Sequence, residues 1–443
     1  MVEALTAQST SYTFRLYSLQ AVAAQAYATL RRQLTSALFS SSLVGGHAPN
    51  PGDTEMSTPW LRNILVSAGA IPKGATVSRV ECKGLDGNRG LSQDGRRGRL
   101  GNIVSGQARE AIFYSSDLAK TLLPSTLLPK VYYAHGSQWL GEYVILMEDI
   151  KQRGAQGVDS QKSMDVNFVF GNQIWGLPDS IQSLAPPSAT EMLDQMFLTA
   201  ADMHAQHWND SRLLQSGWLK FAGWYRGSGR TQWEWSVQAG SSAWEQGKQK
   251  IARGELAVKY SEKFVRIVDE SFKRASWERL QERLQDRSVP FTLSHGDFHA
   301  ANMILDRSTH APSSSIVMYD WSEVCVWEPT TDLGQTLVSD VAIPVFQAHA
   351  RIALRKYWER LIELGAVRAV DYSFETCWNA FVRGGVEKWI WIFAILANHP
   401  GMPASLVQYF HDQLLAFIEL ADNGGDAYYN LTMVSLFAPP GAM

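Results

Sequence analysis

The stretch Phe291-Thr292-Leu293-Ser294-His295-Gly296-Asp297-Phe298-His299-Ala300-Ala301-Asn302-Met303-Ile304-Leu305, completed by Ile316-Val317-Met318-Tyr319-Asp320-Trp321, decides the fold. Phe291 to Leu293, Met303 to Leu305 and Ile316 to Tyr319 are short, mostly apolar runs that read as strands. A polar turn from Asp306 to Ser315 separates the last two. The loop between the first two carries Asp297 and Asn302, and Asp320 stands at the end of the third strand. A hairpin over these residues returns Asp320 to the point from which Asp297 and Asn302 project.

These residue types suit phosphoryl transfer. That reaction needs a carboxylate to orient the attacking hydroxyl and metal ions to neutralise the phosphates. Mg2+ prefers hard oxygen ligands, usually one or two carboxylates or amides together with the phosphates. Asp297 can meet an acceptor hydroxyl, while Asn302 and Asp320 offer the metal an amide and a carboxylate. The protein-kinase order is His-Arg-Asp, four residues, Asn, then a later Asp followed by Phe. His295-Gly296-Asp297 and Asn302 keep the Asp-to-Asn spacing, and Asp320-Trp321 takes the place of the later Asp and its aromatic neighbour.

Working outward, the 443 residues suffice for two lobes, and 45% apolar against 19% charged residues supports a sizeable packed core. A net charge of -3 argues against a surface built to coat nucleic acid or anionic membrane. Cys82, Cys325 and Cys377 are odd in number and far apart, which suits reduced thiols inside a cell. No apolar stretch reaches the roughly 18 residues of a membrane span. The best candidate, Trp389 to Ala397, ends at Asn398-His399-Pro400 and reads as a buried helix. The sixteen tryptophans suit a large helical core or an aromatic substrate pocket.

Residues 1-55 form a leader with no acid between Glu3 and Asp53, rich in Ser, Thr and Ala. It reads as disordered or as a targeting segment, so a cytoplasmic location is expected, with mitochondrial import as the alternative. Residues 56-150 are expected to form a small β-rich lobe, with strands over Val77 to Cys82, Val131 to Ala134 and Tyr143 to Met147 and a helix over Ala108 to Thr121. Residues 151 to 188 read as a connector. Beyond it the lobe is mainly helical, and the larger lobe as a whole spans 151-443. Met192, Leu193, Met196, Phe197, Ala200 and Met203 share one helix face. So do Leu354, Trp358, Leu361 and Ile362, and again Val407, Phe410, Leu414 and Phe417. The expected class is α+β.

HGDFHAAN followed by YDW, with Asp332-Leu333 shortly after, resembles the aminoglycoside phosphotransferase and choline-kinase-like superfamily. It is especially similar to the ecdysteroid-kinase-like (CHK kinase-like) branch. Arg109-Glu110-Ala111-Ile112-Phe113-Tyr114 looks like that branch's glutamate helix. Val144 to Ile150 looks like its hinge, and Met203-His204-Ala205-Gln206-His207-Trp208 like its helix ending in His-Ala-x-x-Trp. The resemblance covers roughly residues 60 to 420. It implies a bilobal protein-kinase-like fold that binds ATP and Mg2+ and phosphorylates a hydroxyl of a small molecule. By motif position Asp297 is the catalytic base, Asn302 and Asp320 are the metal ligands, His295 holds the loop, and Asp332 braces it. Met147 walls the nucleotide pocket, and backbone groups near Glu148 and Ile150 meet the adenine edge. The Gly-rich run containing Gly84, Gly87 and Gly90 lies where a phosphate loop belongs, and Glu110 partners a phosphate-gripping lysine.

That lysine is missing. Between Gly84 and Lys120 the basic residues are all arginine: Arg89, Arg96, Arg97, Arg99 and Arg109. Either an arginine replaces it, or Lys83 is recruited, or a strand pair is absent and the amino-terminal lobe is incomplete. The third account fits best, because no apolar strand pattern surrounds the arginines. The rival function is therefore a catalytically impaired pseudokinase that acts as a binding or scaffold protein. A transition-metal site at His295, Asp297 and His299 is a weaker alternative, since it leaves Asn302 and Asp320 unexplained. His204 and His207 read as packing or hydrogen-bonding residues at a helix end. Trp218, Trp224, Trp233, Trp235 and Trp244 lie where an acceptor pocket is expected, which favours an apolar or cationic alcohol. Oligomeric state is not legible.

Overall fold

The computed structural model describes residues 58–77, 106, 108–122, 127–138, 142–150, 163–171, 186–306, 316–399 and 402–420. The leader, the connector through residue 162, Gly84, Gly87, Gly90 and the arginine run from 89 to 99 lie outside the described residues. So does the strand expected over Val77 to Cys82, except for Val77 itself.

The amino-terminal part contains α1 (Thr58–Ser67), α2 (Ala108–Ser115), α3 (Asp117–Thr121), β1 (Val131–Ser137) and β2 (Glu142–Met147). The helix expected over Ala108 to Thr121 is broken at Ser116, which is extended, with φ -85° and ψ 164°. Its hydroxyl donates to the Phe113 carbonyl at 2.6 Å, closing α2 before α3 begins. A serine that bonds the preceding turn competes with helix continuation. Strands β1 and β2 pair antiparallel from Val131↔Met147 to Ser137↔Glu142, with an irregularity between Val131 and Tyr133. Trp60 of α1 meets Tyr133 of β1 edge-on at 5.6 Å.

The next elements are β3 (Ser163–Asp165), α4 (Val166–Val169), α5 (Ala189–Ala205), α6 (Ala222–Tyr225), α7 (Arg230–Ala252), α8 (Glu262–Arg274) and α9 (Trp277–Gln285). Then come β4 (Thr292–Ser294), β5 (Met303–Asp306), β6 (Ile316–Met318), β7 (Cys325–Trp327), α10 (Thr330–Asp340), α11 (Ile343–Glu363), α12 (Phe374–Leu396) and α13 (Ala404–Leu420). The class is α+β, with a large helical part and, among the described residues, three small sheets, ordered β1-β2, β3-β5-β6 and β4-β7. The hairpin read from sequence is β5–β6, antiparallel with Met303 opposite Met318. Strand β3, which the connector reading passed over, adds to its other edge with Asp165 opposite Ile304. Strand β4 pairs instead with β7, and Ser294 faces Cys325.

Helix α5 starts at a capping box in which Ser188 and Glu191 satisfy each other's backbone N–H groups. All six residues of its predicted apolar face are buried. Trp224, Trp233 and Trp244 are also core, stacked among Phe221, Trp277, Trp327, Tyr260 and Phe393, while Trp235 is exposed. Trp224, Trp233 and Trp244 thus belong to the packed core, and Trp218 is half-buried against it. Cys325 and Cys377 are free, buried thiols. Among the described residues no helix is long and apolar enough to cross a membrane.

Helix α12 runs through the centre, and its buried residues include Glu387 and Lys388. It meets α10 where Gly334 faces Gly385: a Cβ on Gly334 would lie 2.6 Å from the Gly385 Cα. Such contact between two helix backbones requires glycine on both sides. Below this crossing Arg283 of α9 donates to Glu328 and, at 2.5 Å, to Glu387, and Arg383 donates to Glu328 at 2.8 Å. The network ties α9, α12 and the start of α10 together. Removing Arg283 would take a charged donor from two buried carboxylates at once, a loss of about 3–5 kcal/mol.

Candidate active site

The loop between β4 and β5 is shaped by Gly296 and braced by Asp332. Gly296 has φ +79°, and a Cβ there would lie 2.0 Å from the Glu323 carbonyl oxygen. Only glycine fits this turn. Asp332, in the first turn of α10, accepts from the His295 N–H at 2.8 Å through Oδ2 and from the Gly296 N–H at 3.1 Å through Oδ1. His204 Nε2 lies 3.5 Å from the same Oδ2, while its Nδ1 meets the Tyr357 hydroxyl at 3.0 Å. His207 bridges Thr121 and Asp210. Both histidines therefore act in hydrogen bonding and packing.

His295 is fully buried, and each of its ring nitrogens meets a backbone group. Nδ1 accepts from the Asp297 N–H at 3.3 Å, so Nε2 carries the proton and donates to the Tyr319 carbonyl at 3.1 Å. Burial lowers its pKa below the ordinary value despite the carboxylates of Asp332, Asp297 and Asp320 nearby. This neutral ring joins the loop to the strand that delivers Asp320. It is not turned toward a metal, and among the described residues no group of three or more His, Cys, Asp or Glu could hold one. The transition-metal alternative has no such cluster here.

Asp297 receives donors on both carboxylate oxygens. Gln335 Nε2 donates to Oδ1 at 2.5 Å. Asn302 Nδ2 donates to Oδ2 at 3.1 Å and to the Asp297 carbonyl at 3.0 Å, and His299 Nε2 lies 3.3 Å from Oδ2. Burial opposes ionisation of Asp297, but the His299 charge and hydrogen bond, with Lys388 and Gln335, outweigh it and hold the carboxyl far below the usual range. Burial likewise lowers His299, yet Asp297 overrides it and raises the imidazole to about 9.

Asp320 follows directly, because the Tyr319 N–H donates to the Asn302 carbonyl at 3.0 Å. Asp320 itself is left-handed, with φ 59°, and Ser322 Oγ donates to its Oδ1 at 2.7 Å. Burial and then the Asp297 charge raise its pKa. The amide nitrogen of Asn302 is engaged with Asp297, so its oxygen is the atom suited to a metal. Asp320, half-buried and facing the Asp297 charge, offers a carboxylate and Asn302 an amide oxygen, both hard donors of the kind that fits Mg2+.

From the amino-terminal part, α2 grips the turn after Asp320. Glu110 Oε1 accepts from the Trp321 N–H at 3.3 Å, and Arg109 Nη1 donates to the Ser322 carbonyl. Trp321 stacks on Phe113 at 4.3 Å and meets the tilted His295 ring at 4.6 Å. Burial, then Asp320, pushes the Glu110 carboxyl up to about 8. Glu148 closes β1 against β2: its carboxylate accepts from the Lys130 N–H at 2.6 Å, and its own N–H donates to the Lys130 carbonyl at 2.9 Å. Ile150 is buried with Ile304 and Val317, and Met147 packs on the main core. The expected hinge thus abuts the β5–β6 hairpin.

The arrangement sets the Asp297 carboxylate among three side-chain donors, with the hard oxygen atoms of Asn302 and Asp320 near the same turn. Residues 171–369 match the phosphotransferase enzyme family (APH). That span holds α5 to α11, the loop of His295 to Asn302, the hairpin and Asp332. The match supports phosphotransferase chemistry on small molecules and a kinase-like fold. No curated protein matches the chain, and no solved structure does. Three residues of the site escaped the sequence reading of roles: Arg109, Gln335 and Lys388. Lys388 had a visible signal, a charge pair at Glu387-Lys388 inside the apolar run that ends in Trp389 to Leu396.

Proposed function

We propose that this chain is an ATP- and Mg2+-dependent phosphotransferase acting on a hydroxyl of a small molecule, of the ecdysteroid-kinase-like branch. The observation that carries the reading is the Asp297 carboxylate, held by Gln335, Asn302 and His299 at the turn to which the β5–β6 hairpin returns Asp320. In this reading Asp297 accepts the proton of the acceptor hydroxyl. The acceptor oxygen bonds to the γ-phosphorus of ATP, the bond from that phosphorus to the β,γ-bridging oxygen breaks, and ADP leaves with the electron pair. Bound Mg2+ would supply neutralisation of phosphate charge, and Asn302 and Asp320 would hold it. His295 and Asp332 keep the loop in place, and Met147, Glu148 and Ile150 border the adenine site. The core placement of the tryptophans leaves the acceptor specified only as a small-molecule alcohol.

The engagement of Glu110 with the Trp321 N–H and of Arg109 with the Ser322 carbonyl favours a second reading, a pseudokinase. Both α2 side chains serve the backbone of the metal-side turn instead of a phosphate-gripping lysine. Thermal unfolding with and without millimolar Mg·ATP separates the two readings, because a ligand bound by the native state raises the midpoint. A rise that needs both Mg2+ and ATP supports the phosphotransferase. No rise at millimolar concentration overturns it.

A further inference from the structure

Lys388 lies 92 positions from Gly296 in sequence, on α12, and is 1% exposed. Its ammonium donates to the Gly296 carbonyl at 2.6 Å and to Gln335 Oε1. An ammonium has donors and no acceptor. It therefore fixes which end of the Gln335 amide faces it: the oxygen points to Lys388, and the nitrogen points to Asp297 Oδ1 at 2.5 Å. Oδ2 already faces two donors, Asn302 and His299. A carboxylate oxygen offers two lone-pair sites. Among the described residues, Oδ1 is thus the atom with a site open to an incoming proton.

We infer that Lys388 and Gln335 are a positioning pair that sets the direction of the Asp297 carboxylate and makes Oδ1 the basic atom. The inference rests on the phosphotransfer reading for its catalytic meaning, and on geometry alone for its structural content. Neither residue touches substrate in this scheme. Lys388 lies beyond the family-matched span, and Gln335 lies within it but outside the His295–Asn302 motif.

The discriminating variant is Gln335→Glu. It keeps the size of the side chain and its contact with Lys388 but replaces the donor to Asp297 with an acceptor. Mg·ATP consumption is measured for wild type, Gln335→Glu, Gln335→Leu and Lys388→Met, each checked for folding by its thermal midpoint. The pair predicts kcat lower by about 100-fold in both Gln335 variants, the size of a mispositioned general base. The apparent KM for ATP stays within about 2-fold, since uniform binding is untouched. Lys388→Met moves the same way, because the Gln335 amide is then free to turn over.

Gln335→Glu with kcat within about 2-fold of wild type overturns the inference, since a packing role alone would survive that change. Crystal structures of wild type and Gln335→Glu give a readout that needs no turnover. The carboxylate of Asp297 should rotate in the variant; an unchanged direction overturns the inference. Failure of the wild type to bind Mg·ATP would overturn the phosphotransfer reading instead and leave this structural comparison decisive.

Discussion

Asp332 Oδ2 accepts a hydrogen bond from the backbone N–H of His295 at 2.8 Å, across 37 positions of sequence. The partner oxygen takes the next N–H, that of Gly296. One helix-borne carboxylate thereby holds two consecutive peptide groups of the loop that carries Asp297. The bonds are buried and charge-assisted, the stronger kind.

Asp332→Asn should lower unfolding stability by about 2–4 kcal/mol, read from urea titration. An amide offers one acceptor and turns its own N–H groups on the second backbone N–H. A change below about 0.5 kcal/mol would mean that the loop is held by other contacts.

At Gly296 the expected loss is similar, from a different cause. Gly296→Ala places a Cβ against the Glu323 carbonyl in a left-handed turn. Backbone strain and collision together should cost about 3 kcal/mol. A thermal midpoint equal to wild type would contradict this.

Asp297→Asn removes the proposed base while keeping shape. Turnover with any accepted alcohol should fall by about 10²–10⁴-fold. The Mg·ATP-induced rise in thermal midpoint should persist. Unchanged turnover would transfer the role of base to another group.

The His299–Asp297 pair makes stability depend on pH on the alkaline side. His299 is raised from 6.5 to about 9 in the folded chain. Its contribution is fully present below about pH 6.5 and is lost as pH rises through about 9. His299→Gln should remove that slope, worth up to about 3 kcal/mol, in chemical denaturation across this window. The depressed Asp297 belongs to the same contact and adds its own loss only in acid.

Glu110 gives a second, lower window. Its folded pKa is raised from 4.5 to about 8, so the protonated form is favoured in the native state. Stability then falls as pH rises between those values. Glu110→Gln in metal-free buffer should flatten that interval and leave the His299 slope in place. An unaltered profile would show that Glu110 ionises normally.

The sequence made the loop and hairpin legible because their signals are local. Asp297, Asn302 and Asp320 have fixed spacing between short apolar strands, and the structure brings the three together. The faces of α5, α11 and α13 were legible through period, since burial repeats with the helical turn. Strand β3 was not, because three residues carry no period and its pairing partner lies about 140 positions away. The break at Ser116 depended on one side-chain bond to the turn before it. Gln335 and Lys388 reach Asp297 only through the crossing of two helices, and no spacing in the chain encodes that. Composition could not decide between core and pocket for the tryptophans, because both uses bury the ring.

The backbone contact between Gly334 and Gly385 has a consequence for descent as well as for packing. Gln335 is the neighbour of one glycine, and Lys388 stands one turn beyond the other. The glycine pair works as a spacer of zero thickness, and the reach of the ammonium is calibrated to it. A methyl group at either position would separate the helices and draw the charge away from the amide. Lineages that retain Lys388 and Gln335 should therefore inherit both glycines as one unit, and lineages that lose the charge should be free to fill the gap.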